Sequence, residues 1–70
     1  MIDKNAAIEI QRHALKAIES LEAALYAAKN CCPEKDFERI KRGVGLSIGR
    51  IDSELLSVIY EVYPELDHVK

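Results

Sequence analysis

Two adjacent cysteines, Cys31 and Cys32, stand directly before Pro33 and are the most reactive side chains in the sequence. A helix opening at Pro33 would put Cys32 at its positive end, which favours thiolate, so Cys32 is the candidate for a reactive or redox thiol. No histidine is spaced to serve as its base, and the plain alternative is a small side chain at a turn. A bridge between neighbouring cysteines closes only a strained ring, and a reducing cytosol argues against one between copies. The remaining metal-competent groups are His13 and His68. His13 and Cys31 would lie roughly 27 Å apart on one helix, too far to share an ion. His68 could approach the start of the chain, with Asp67 and Asp3 as oxygen ligands, but no Glu-x-x-His pair of the di-iron kind occurs. No metal, cofactor or catalytic set is expected.

Charge offers a second kind of chemistry. Lys35, Arg39, Arg42 and Arg50 project from one outer face of a second helix and could grip phosphates. In a chain of net charge −2, with no aromatic interleaved on that face, they more simply form a solvated surface. Nucleic-acid binding therefore stands as an alternative reading. From Lys29 to Arg50, six positive residues outnumber three negative ones, leaving the rest of the chain net acidic. A chain that folds back on itself would have one basic and one acidic end. Four polar residues intrude on otherwise apolar arcs. Gln11 or His13 is expected to satisfy Asp52, and Lys41 to pair with Glu22, setting the register of a core.

The elements that would position these groups are helical. Ala, Leu, Ile, Glu and Lys predominate and Trp is absent, which points to an all-α fold. The first helix should span about residues 4–30, capped by Asp3 or Asn5. Ala7, Ile10, Ala14, Ala17, Leu21, Ala24, Ala28 and Cys31 follow at alternating three- and four-residue steps, an alanine-rich heptad seam. A second stripe of Ile8, Leu15, Ile18 and Leu25 widens the apolar arc, opposite a wet face of Glu9, Arg12, Lys16 and Glu19. A turn at 31–33 leads into a second helix over about 33–63, with Cys32 at its N-cap, stopping before Pro64. Its seam reads Phe37, Val44, Ile48, Ile51, Leu55, Val58 and Val62, with Leu56, Ile59 and Tyr63 beside it. The tail 64–70 makes one further turn that lays Leu66 against the base.

So short a connection produces an antiparallel two-helix hairpin, in which facing positions have numbers adding to about 65. The arcs are wider than one neighbour can cover, and all three glycines lie within the second helix, at 43, 45 and 49, where each costs about 1 kcal/mol against alanine. Gly45 and Gly49 form a G-x-x-x-G notch suited to close helix contact. The hairpin is therefore expected to dimerise into a four-helix bundle through Ile8, Leu15, Ile18, Leu25, Gly45, Gly49, Leu56 and Ile59. At 70 residues, self-association is a usual means of completing a core. No stretch has the ~18 uninterrupted apolar residues of a membrane span, and no secretory leader opens the chain, which places it in the cytoplasm and away from membranes.

The run E-R-x-x-R-x-V-G-x-x-I-G-x-I-x-x-E-L-L-x-x-I-Y-x-x-Y-P-E-L, from Glu38 to Leu66, resembles short bacterial α-helical hairpin proteins of unknown function. The resemblance covers the second helix, less than half the chain, and leaves out Cys31 and Cys32. It implies an all-α cytosolic bacterial protein that dimerises, and it brings no catalytic residues. The leading reading is a small non-catalytic homodimer that binds itself and a further protein. Thiol chemistry at Cys32 and nucleic-acid binding on the Lys35, Arg39, Arg42 and Arg50 face are the alternatives.

Overall fold

The computed structural model describes residues 2–67, and every element among them is helical. The first rod, α1 (Lys4–Cys31), opens on Asp3, whose Oδ1 accepts the Ala6 N–H at 2.8 Å. That bond satisfies one of the donors a helix start leaves free. The rod stops because Pro33 disfavours αR in the residue before it. Cys32 is extended (φ −99°, ψ 146°), and its N–H still reaches the Ala28 carbonyl at 2.9 Å. Pro33, with ψ 154°, is the N-cap of α2 (Glu34–Arg50), so Cys32 caps α1 at its C-terminal end and is not the N-cap expected for the second helix. Glu34 and Asp36 in the first turn of α2 complement its dipole.

The second rod is continuous but not uniform. After α2 comes a π-helical turn, Ile51–Leu56, and then α3 (Ser57–Val62). Within it the Ser57 N–H donates to the Asp52 carbonyl, five residues back, where an α-helix would use Ser53. The Ser57 hydroxyl donates to that Ser53 carbonyl at 2.6 Å, so the displaced acceptor keeps a partner. The helix runs unbroken through Gly43, Gly45 and Gly49, and no described residue has a positive φ.

The π turn holds one extra residue and rotates everything beyond it. Leu55 and Val58, expected on the inward seam, are 42% and 45% exposed, while Leu56 and Ile59 fall to 2% and 1%. The inward path steps from Ile51 to Leu56, five residues, and then continues at ordinary spacing. The same shift appears across the hairpin. Ala7, whose expected opposite is Val58, packs with Ile59, one residue further on. Leu56 and Ile59 therefore fill the core of a single chain, which corrects their assignment to a dimer interface; Leu56 keeps only a 2% edge exposed on the flank it lines.

The best-formed core lies at the base, where Ala7, Ile59 and Leu66 cluster with Ile2, Ile10, Tyr60 and Tyr63 around them. Pro64–Leu66 makes one 3-10 turn that brings Leu66 in. Gln11 Nε2 donates to the Leu66 carbonyl at 2.7 Å and to Tyr60 Oη at 3.2 Å, and Tyr63 Oη donates to the Ile2 carbonyl at 2.8 Å. The result is a slender antiparallel hairpin, 46 × 22 × 16 Å.

Candidate functional site: an acid-rimmed groove

One flank of the hairpin carries an open groove of about 670 Å³ between α1 and the second rod. Leu15 and Ile18 form its α1 side, and Asp52, Ser53, Leu56, Ser57 and Tyr60 form the other, with Glu61 and Asp67 at its lower end. Asp52 and Ser53 belong to the π turn, so the helical irregularity builds one wall. Helical spacing extends the flank in both directions. Ile8 lies one heptad before Leu15, Leu25 one heptad after Ile18, and Gly45 and Gly49 lie eight and four residues before Ser53. Ile8 and Leu15 are 41% and 45% exposed, and Ile18 and Leu25 are half-buried. A Cβ built on Gly45 or Gly49 meets nothing within 4 Å. Six of the eight residues expected at a subunit contact thus share one uncovered flank.

The expected polar pairings are not formed. Gln11 is held by Tyr60 and the Leu66 carbonyl, and Asp52 is exposed on the groove wall. Glu22 and Lys41 are both exposed, and no ion pair joins them among the described residues. The reason is geometric. Seven described residues reach core burial and three of them are alanine, so away from the base the hairpin has no interior deep enough to take a charge out of water.

The remaining candidates do not converge on a reaction. Cys31 is exposed and Cys32 half-buried. The depression beside Cys32 is lined by Asp36, Arg39 and Ile40, none of them a base suited to activating a thiol. Lys35, Arg39 and Arg42 are exposed, and Arg50 Nε is bound to Glu54 at 2.9 Å. No group of three or more His, Cys, Asp or Glu able to hold a metal ion occurs among the described residues. Asp3 is occupied as a helix cap, and His68 lies outside the described residues. Two carboxyls sit below their ordinary range: Glu9 through its hydrogen bond to Arg12, and Glu65 through its own backbone N–H and then Lys4, 3.1 Å away. Both are exposed, and neither lines the groove.

No family model, curated protein or solved structure matches the chain. The groove's role must then be read from its own residues. Its floor is apolar, and its charged lining residues, Asp52, Glu61 and Asp67, are all carboxylates. Such a surface suits an apolar partner that carries positive charge. Among the described residues, no helix is long and apolar enough to cross a membrane. Sequence reasoning missed Ser53, Ser57 and Tyr60 as groove residues, because their placement depends on the π turn. The signal available was the pair of overlapping apolar frames after Ile51, one through Leu55 and Val58 and the other through Leu56, Ile59 and Tyr63.

Proposed function

We propose that the protein is a small non-catalytic helical interaction protein of the bacterial cytoplasm that works as a homodimer, two hairpins completing an antiparallel four-helix bundle. The observation that carries this reading is the amount of apolar surface one copy leaves in water. Among the described residues seven large apolar side chains are exposed, Ile8 and Leu15 on the grooved flank among them, as many as reach core burial. The chain exposes 5437 Å² over its 70 residues, whereas a compact monomer of 7.9 kDa exposes about 4,400 Å². The surplus is of the order that one partner buries in a standard interface, ≈ 800 Å². A two-layer hairpin of this length has little core of its own, and a second copy supplies the missing layer.

The reading is tested by melting the protein over a hundredfold range of concentration. A dimer that unfolds to monomers has a midpoint that rises with concentration. A midpoint independent of concentration, with full helicity at the lowest concentration, would remove the proposal.

A further inference from the structure

We propose that the occupant of the acid-rimmed groove is the basic half of α2 from a second copy, the two hairpins packing antiparallel about a two-fold axis near Ser47. This rests on the dimeric reading above and gives it a face and a direction. Arg42, Gly45, Gly49 and Asp52 follow at steps of three, four and three, so they form one stripe along the grooved flank. An antiparallel crossing centred on Ser47 sets Gly45 opposite Gly49 of the partner subunit. The same crossing sets Arg42 opposite Asp52 of the partner subunit. The stripe is self-complementary, as a two-fold interface requires, and it forms the charge pair twice.

Three observations support this flank. Neither Arg42 nor Asp52 has an ion-pair partner among the described residues, whereas Arg50, off the stripe, is taken by Glu54. Within one chain Arg42 and Asp52 are ten residues apart on a helix, roughly 15 Å, so they can meet only across a contact. Gly45 and Gly49 leave open space where side chains would otherwise hold a second helix away, and two helices meeting there can reach the short end of the 8–10 Å interaxial range. Nothing within the chain explains their presence, since neither takes a positive φ. The pocket on the opposite flank, lined by Ile10, His13, Ala14, Ala17, Ile51 and Leu55, is also apolar, but its lining holds no carboxylate to pair with a basic stripe.

The test is sedimentation equilibrium on Arg42→Asp, on Asp52→Arg and on their equimolar mixture, with circular dichroism to confirm that both remain helical. Each variant alone places like charges opposite each other twice and should dimerise at least ~10-fold more weakly than the parent. The mixture should recover, because the mixed dimer restores two opposite-charge pairs. Leu55→Arg, on the other flank, should leave the affinity unchanged. A parent dimer insensitive to both stripe variants, a mixture that stays weak, or loss of dimer with Leu55→Arg would each overturn this interface while leaving the dimer standing. A parent that is monomeric at every concentration would overturn the dimeric reading itself.

Discussion

At the base of the hairpin, Gln11 and Tyr63 reach across the fold to residues 49, 55 and 61 positions away, and Lys4 pairs with Glu65 beside them. Toward the turn, Ala28 is buried, Phe37 is half-buried, and no side-chain hydrogen bond or ion pair joins the two rods among the described residues. Both regions have the same antiparallel topology and the same heptad spacing. They differ in whether a third segment closes over the pair. The 3-10 turn at Pro64–Leu66 adds that segment at the base, and none of the described residues does so along the grooved flank. Apolar periodicity is enough to pair two rods, and a core needs one more layer.

The largest effect should come from breaking the closed end. Ile59→Ala empties the centre of the base cluster and should cost about 2–5 kcal/mol, enough to leave so small a domain largely unfolded in a urea titration. Val44→Ala, halfway along the open region, removes only two methyl groups and should cost about 1.5 kcal/mol. Equal costs at the two sites would remove the contrast. Gln11→Ala comes next, at about 1–3 kcal/mol, because it leaves the Leu66 carbonyl without its donor. Its signature is faster amide exchange confined to the tail and the last turn of α3.

Gly45→Ala sharpens the comparison by its sign. If water covers the grooved flank, adding a methyl where nothing lies within 4 Å should stabilise the helix by about 1 kcal/mol. If another helix covers it, as the account holds, the same methyl should weaken association and lower the melting midpoint. The smallest effect concerns the ion pair at the base. Glu65 is held below its ordinary carboxyl range first by its own backbone N–H and then by Lys4. A depressed carboxylate contributes stability that is full above the unfolded value, about 4.3, and is lost as pH falls through the lower folded one. Melting midpoints of the parent and Glu65→Gln should therefore converge on acidification and differ slightly near neutrality, since the pair is exposed.

Much of this arrangement can be read from the residues alone. Asp3 marks the start of α1, Pro33 the end of the first rod and Pro64 the end of the second, each for a local steric or hydrogen-bonding reason. The alanine seam identifies the face that the second rod meets. The π turn cannot be read that way, because local propensity does not distinguish Ile51–Leu55 from Ile51–Leu56 as the next inward step. The longer step is chosen by what it delivers. It turns Leu56 and Ile59 inward together and brings Tyr60 within reach of Gln11, and that choice is tertiary. For the same reason the sequence points to Gln11 or His13 as the partner of Asp52, whereas the Leu66 carbonyl takes Gln11 once the tail has turned. Deleting Ser53 should return the segment to an ordinary α-helix with Leu56 and Ile59 still inward. Loss of the fold on that deletion would mean that the wide turn has a structural purpose beyond register.

Sedimentation equilibrium of the unmodified chain across micromolar concentrations bears most directly on the claim that one copy leaves too much apolar surface uncovered. The account predicts a mass of twice 7.9 kDa that falls toward the single-chain value only on dilution. A folded species of single-chain mass throughout would contradict it.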